Sequence, residues 1–368
     1  MVVNVVKLGD FVKIQTGKLD ANAADENGLY PFFTCAVEPL AINTYAYDCE
    51  CILIAGNGDL NVKYYNGKFN AYQRTYIIEV TDKTLDIRYL YHFLTKYINV
   101  LRQNSIGGVI KYIKLGDLTG IKLPLPTIEE QEKIVSILDK ADEIRAKKKL
   151  ANDKLDEFLK SSFISMFGDP VKNEKKWLKS CLGDVCDLIT DGTHKTPQYK
   201  NSGIKFISAK NVKNAHIDLS DTKFISEEEH LALTSRCKPE FEDIVLTKSG
   251  SIGSSAIIDF VEPVSLFESL ALIKYCRNKL NGRYLNNLLN GESIKNTYIN
   301  NIKGISIKHL HLNEIKKISI IMPPIEQQNK FAKIVEHVEA QKQKNEEVIE
   351  QMDNLFNSLS QRAFKGEI

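Results

Sequence analysis

The chain has 368 residues, 43% of them aliphatic or aromatic and 26% charged, with a formal charge of +2; it is too long for one ordinary core and too apolar for a disordered chain. No run of about 18 apolar residues is present to cross a bilayer, and the N-terminus MVVNVVKLGDF lacks the apolar stretch and small-residue cleavage site of a secretory signal, so a cytoplasmic location is expected. The seven cysteines (35, 49, 51, 181, 186, 237 and 276) form no C-x-x-C pair, which favours reduced, mostly buried thiols over a zinc site or a disulfide framework.

Residues 1–126 are strand-rich: CILIAGNGD, VKYYNGKFNAY and TYIIEV alternate β-branched and aromatic residues with Gly-Asn turns. DIRYLYHFLTKYINVLRQ follows as a helix. Residues 127–168 read as one long helix. From Ile137, the positions Ala141, Ile144, Lys148, Ala151, Leu155, Phe158 and Ser162 step by four and three, a heptad seam. Gly168-Asp169-Pro170 stops it. Residues 169–322 are again strand-rich, through IKFISAKNV, EDIVLTKSGSIGSSAIID and SLALIKYC, with GRYLNNLLNGESIKNTYI as a helical stretch. Residues 323–368 form a second long helix, its seam at Ile334, Val338, Gln341, Asn345, Val348, Met352, Leu355 and Leu359.

The chain repeats itself. PLPTIEEQEKIVSILDKAD from Pro124 returns as MPPIEQQNKFAKIVEHVEA from Met322, with Pro126 on Pro323 at an offset of 197, and Leu8-Gly9-Asp10 returns as Leu182-Gly183-Asp184. Proline and carboxylates before and within the first turn mark each helix start. A narrow seam buries itself best against its own copy. We therefore expect an α+β fold in which two strand-rich α/β globules alternate with two long helices that pair as an antiparallel coiled coil, with a pseudo-two-fold internal repeat. At 1.5 Å per residue such a helix is a rod of roughly 60 Å. The seam turns polar at Lys148, Gln341 and Asn345; splayed helices with solvated side chains are expected there, register control being the other reading.

No catalytic signature is present: no G-x-x-x-x-G-K-[ST], H-E-x-x-H or G-x-S-x-G, and no Asn- or Asp-Pro-Pro-aromatic motif for base methylation. The histidines at 92, 194, 216, 230, 309, 311 and 337 have no metal spacing, so no metal site is expected. The excess of Lys and Arg over Asp and Glu sits in the two globular segments, compatible with a polyanionic partner. Residue types suited to DNA cluster on glycine-containing turns. In the first segment these are Lys63, Tyr64, Tyr65, Lys68, Asn70, Tyr72, Gln73, Arg74 and Lys111. In the second they are Thr193, His194, Lys195, Lys210, Asn211, Lys248, Ser249, Ser251, Lys303 and Lys308. Lys, Ser and backbone amides hold phosphates, whereas Arg, Asn and Gln read purine edges; taken alone, solvated hairpin loops explain the same residues.

PLPTIEEQEKIVSILDKADEIRAKKK with FISMFGDP, and MPPIEQQNKFAKIVE with SLSQRAFKGEI, resemble the central and distal conserved regions of the specificity (S) subunit of type I restriction-modification systems, and GIKFISAKNV, DIVLTKSGSIG and AYQRTY resemble segments of its target-recognition domains. The resemblance spans nearly the whole chain. It implies target-recognition domains at 1–126 and 169–322, and conserved helices at 127–168 and 323–368. It implies a subunit without catalysis of its own, whose two globules read the halves of a bipartite, non-palindromic double-stranded DNA site, with half-site centres roughly 34 Å apart or a multiple of that. The helices would set the gap and dock two methyltransferase (M) subunits carrying S-adenosylmethionine; restriction (R) subunits using ATP and Mg would join them. No cofactor on this chain and no membrane role are implied. The other readings are a single-chain DNA methyltransferase or nuclease with a recognition module, and a coiled-coil adaptor without a DNA role.

Overall fold

The computed structural model describes residues 4–106, 111–299 and 309–365. Two compact units emerge: Met1–Ala151 with Lys344–Ile368, and Asn152–Gln343. Each therefore holds one globule and a portion of both long helices, Ile128–Phe167 and Ile325–Lys365.

In the first unit six strands form one sheet in the order Val12–Thr16, Thr75–Val80, Tyr47–Ala55, Val62–Ala71, Tyr30–Phe33, Leu40–Ile42. All neighbours are antiparallel except Tyr30–Phe33, which runs parallel to Val62–Ala71. Strand alternation sends Ile52 and Ile54 into a core with Leu90 and Leu94 of the helix Ile87–Asn104, and Cys51 and Leu53 into a second core with Phe33, Phe69 and Ile77. Both faces are covered, which is why CILIA is apolar throughout.

The second unit repeats the plan with a four-stranded sheet, Cys186–Asp191, Leu270–Tyr275, Ile244–Thr247, Ser255–Ile257, and a three-stranded one, Lys223–Ile225, Ile204–Ile207, Val264–Leu266. Here Ile244 and Leu246 face one core and Val245 the other. The expected helical stretch at 282–299 is two helices, Gly282–Asn290 and Glu292–Ile299, interrupted at Gly291.

Each globule is fixed to the start of a long helix by the same set of contacts. Gln131, fully buried, accepts from the Asp86 backbone N–H at 2.8 Å and donates to the Thr84 and Pro126 carbonyls at 2.8 and 2.9 Å. Gln328, at the repeat offset, accepts from Asn281 N–H at 2.9 Å and donates to the Lys279 and Pro323 carbonyls at 3.0 and 2.8 Å. Asp86 and Asn281 in turn cap the helices that follow them, through Tyr89 N–H and through Arg283 and Tyr284 N–H. Those tyrosines donate to the carbonyls of Pro124 at 2.9 Å and Ile321 at 3.0 Å. Arg88–Asp139 at 2.5 Å and Arg283–Glu336 at 3.5 Å complete the pattern. The repeated glutamine thus does more than accompany a helix start; it is the joint.

The long helices pair antiparallel. In the first unit Arg145 meets Asp353 at 2.7 Å and Lys148 donates to Asn345 Oδ1 at 3.1 Å; in the second, Lys342 meets Asp156 at 2.9 Å and Phe163 packs edge-on to Phe331. Three seam assignments shift. Ile137, Phe158 and Leu355 are exposed, and Leu138, Leu159 and Phe356 turn inward instead, because the apolar stripe follows the globule as well as the partner helix. At the polar centre the expected solvation is corrected for Asn345, which is only 2% exposed and lies buried in the seam, and holds for Gln341, which is exposed, with Lys148 half-buried. The thiols also differ from expectation, since only Cys51 and Cys237 are buried and Cys181 is exposed.

Candidate nucleic-acid interface

The first sheet curls so that the chain leaving Ala71 returns to the end of the sheet where Thr16 and Thr75 lie. Gly17 N–H donates to Thr75 O at 3.1 Å, Leu19 N–H to Ala71 O at 3.5 Å, Gln73 N–H to Leu19 O at 2.9 Å, Tyr72 N–H to Phe33 O at 2.9 Å and Thr75 N–H to Tyr72 O at 2.8 Å. Gly56 N–H donates to Arg74 O at 2.7 Å, and Ile113 N–H to Gly56 O at 3.0 Å. These bonds gather four loops. A β-carbon at Gly17 would lie 2.2 Å from Ala71 O, so only glycine permits the closeness.

Gln73, Arg74 and Lys111 are exposed on this cluster. Gln73 and Arg74 line a cavity of about 290 Å³ with Thr16, Gly56, Tyr76 and Ile113, and Lys111 O accepts from Gly58. Other residues of the expected set are spread along the strand Val62–Ala71 or turned inward. Tyr65 packs on Phe33 and Phe69, and Asn70 is 4% exposed with its amide bonded to Thr44 O and to Ala71 N–H. Tyr64 donates to Glu50 at 2.5 Å beneath the Arg88 guanidinium; burial and then Glu50 push its hydroxyl up to about 12. Lys63 is half-buried against Asn61, and burial lowers its ammonium below the usual range. Lys68 is exposed over Tyr45, and Tyr72 is half-buried.

The second globule builds the same cluster from different side chains. Gly192 N–H donates to Leu270 O at 3.3 Å, Thr193 to Leu266 O at 2.9 Å, Glu268 to Thr193 O at 3.0 Å, Phe267 to Ile207 O at 2.9 Å, Leu270 to Phe267 O at 3.0 Å, Lys248 to Ser269 O at 2.8 Å and Leu310 to Lys248 O at 2.8 Å. Each is the counterpart of one bond above. Gly192 again allows no β-carbon, with Leu266 O at 2.1 Å. Gln73 thereby corresponds to Glu268, Arg74 to Ser269 and Gly56 to Lys248.

His194 and Lys195 are exposed here beside a cavity of about 430 Å³. Lys248 is not available to a phosphate. It is 2% exposed and meets Asp191 Oδ2 at 2.5 Å, while Arg236 and His194 reach the same carboxylate at 3.2 Å. Burial raises the Asp191 carboxyl, but Lys248 and Arg236 outweigh it and hold it below the ordinary range. Asn211 is likewise committed, donating to Asp218 O and Asp221 O at 3.0 Å. Lys210 is exposed and paired with Asp221 at 3.2 Å; its turn is held to the cluster by Ala209 N–H on Ser269 Oγ at 3.0 Å. Thr193 and Ser249 are half-buried and Ser251 exposed, whereas Lys303 and Lys308 lie outside the described residues. Arg236 escaped sequence reading. It donates to Asp191 O and Gly192 O at 2.8 and 2.7 Å and so holds the loop, a contact 44 residues away in sequence.

Among the described residues no cluster of His, Cys, Asp or Glu suits a metal, and no helix is long and apolar enough to cross a membrane. The fold resembles the crystal structure of a type I restriction-modification system S subunit from M. genitalium, with a TM-score of 0.68 and 16% identity over 99% of this chain and 96% of that one. The chain is 50% identical over 135 residues to the type I restriction enzyme EcoDI specificity subunit of Escherichia coli, a match covering 36% of this chain and 30% of that protein's length. It is 24% identical over 320 residues, 79% of this chain and 75% of the relative, to the MjaVIII specificity subunit of Methanocaldococcus jannaschii. The family profile described as type I restriction modification DNA specificity domain matches residues 2–154 and 174–351. With that profile covering most of its length in two copies, as the internal repeat requires, the chain belongs to the type I restriction modification DNA specificity domain family.

Proposed function

We propose that the chain is the sequence-reading subunit of a type I restriction-modification complex, with residues 1–126 and 169–322 each reading one half of a split, non-palindromic DNA site. The observation that supports this most is the loop cluster built twice on the same seven main-chain bonds with unlike side chains. One scaffold carrying two chemistries suits two different half-sites. In the first reader Gln73 and Arg74 supply the bidentate groups for purine edges, with Lys68 and Lys111 for phosphates; in the second, His194, Lys195, Lys210 and Ser251 are the accessible donors. Tyr72, Thr193 and Ser249 sit at the margins, Lys63, Tyr64 and Tyr65 are committed along the strand Val62–Ala71, and Asn70, Asn211 and Lys248 hold the loops.

The subunit performs no catalysis of its own in this reading. The helices at 127–168 and 323–368 set the gap and dock two methyltransferase subunits, which bring S-adenosylmethionine; restriction subunits bring ATP and Mg. The complex works in the cytoplasm. The test is binding of the chain, assembled with its methyltransferase partner, to a library of duplexes randomised in two blocks. A split consensus is expected, with affinity falling steeply as salt rises. Gln73→Ala with Arg74→Ala should relax one half of that consensus, each lost base contact being worth about 1–3 kcal/mol; equal loss in both halves would contradict separate readers. Methyl transfer or cleavage by the chain alone would favour a single-chain enzyme.

A further inference from the structure

The residue set drawn from the sequence left out the second globule's counterpart of Gln73. Glu268 occupies it: its N–H donates to Thr193 O at 3.0 Å as Gln73 N–H donates to Leu19 O at 2.9 Å, and the flanking bonds from Phe267 and Leu270 match those from Tyr72 and Thr75. The side chain is 27% exposed, and its only ion-pair partner among the described residues is His309, with Nε2 3.9 Å from Oε2. Among the described residues no hydrogen bond to its carboxylate ties it to the core. Asp191, by contrast, is buried under three donors.

We propose that Glu268 is a base-reading residue of the second half-site and that it selects cytosine. This rests on the reading of the chain as a DNA specificity subunit. An ionised carboxylate only accepts hydrogen bonds. In the major groove cytosine offers the N4 amino donor, guanine two acceptors that repel a carboxylate, and adenine a donor beside the N7 acceptor. A carboxylate thus favours cytosine, while an amide, which accepts and donates, favours adenine. The first globule carries the amide at the same place.

The surroundings keep the carboxylate usable. Burial and then Lys248 hold the His309 imidazole below its ordinary range, so Glu268 is not tied up by a permanent cation, and exposed Lys195, two residues past the Thr193 carbonyl that accepts from Glu268 N–H, offsets its repulsion from phosphates. Ser269 Oγ, accepting from Ala209 N–H, fixes the following residue and with it the direction in which Glu268 leaves the turn.

The experiment is selection from duplexes randomised in both half-sites, using the full chain with its methyltransferase partner, for the native protein and for Glu268→Gln and Glu268→Ala. Native protein should require cytosine at one position of one half-site. Glu268→Gln should exchange that preference for adenine, and Glu268→Ala should remove it, a change of roughly tenfold to a hundredfold at that position alone. Preservation of the other positions of the second half-site within the same experiment reports correct folding of the second globule, and preservation of the first half-site reports an assembled complex. An unaltered consensus in both variants overturns the assignment, and so does a uniform loss at every position of the second half-site, which is what a merely structural role gives. If the native complex selects no split sequence, the failure lies with the function proposed for the chain.

Discussion

Lys248 separates what a residue type promises from what its surroundings permit. A lysine on a Gly-Ser turn reads as a phosphate contact, but its ammonium is spent on Asp191, which also takes Arg236 and His194. Removing Lys248 takes away the shortest of the contacts to the buried Asp191 carboxylate and leaves it Arg236 and His194, both at 3.2 Å. Lys248→Met should therefore cost less than the roughly 3–5 kcal/mol of a buried charge left with no partner, lowering the thermal transition of the second unit in calorimetry, and Asp191→Asn in the same chain should restore part of it. Identical loss in single and double variants would show that the loss does not come from an under-compensated Asp191 charge. The pH sign follows from the depressed Asp191 carboxyl: its contribution is present above the ordinary carboxylate range and disappears as pH falls through the lower folded value. Sequence could supply the residue types of the interface but not these partners. Asp191 and Lys248 are 57 residues apart, and only the strand order of the second sheet, which sets Cys186–Asp191 one strand from Ile244–Thr247, makes them neighbours.

At the scale of elements, the strands, the long helices and the repeat were legible because each leaves a period or a copied string in the sequence. CILIA, TYIIEV and the EEQ and EQQ helix starts all fall on the elements expected of them. What was not legible is a two-sided demand on one residue. Near the helix starts the stripe must serve the globule and the partner helix together, which moves burial from Ile137 to Leu138. Gln131 and Gln328 carry a different pairing of demands, since each bonds both its globule and the segment leading into its own helix. Gln131→Ala would leave the Asp86 N–H and the Thr84 and Pro126 carbonyls without their partner, at about 1–3 kcal/mol for each group left dry. Hydrogen exchange should then quicken around 84–90 and at the start of the first long helix while residues 281–285 keep their protection; Gln328→Ala should give the mirror result. Quickened exchange throughout the chain would mean that the glutamine is not a local joint.

At the scale of the whole molecule, the division into units has a consequence for the proposed spacer. The boundary falls between residues 151 and 152 in one long helix and between 343 and 344 in the other, so every contact described above lies on one side of it. One heptad inserted at both places leaves each unit's packing intact and keeps the apolar stripe within about 20° of its original face. Each helix grows by roughly 10 Å, about three base pairs of duplex at 3.4 Å per step. If the helices set the gap, the complex carrying both insertions should select the same two half-sequences with a longer gap between them, and bind more weakly, because added base pairs also rotate one half-site about the DNA axis. An insertion in only one helix breaks the pairing of Arg145 with Asp353 or of Asp156 with Lys342, and should lower stability instead of moving the gap. The paired insertion thus isolates length from packing. Should the gap selected by that variant equal the native one, the distance between half-sites must be fixed by the partner subunits rather than by this chain.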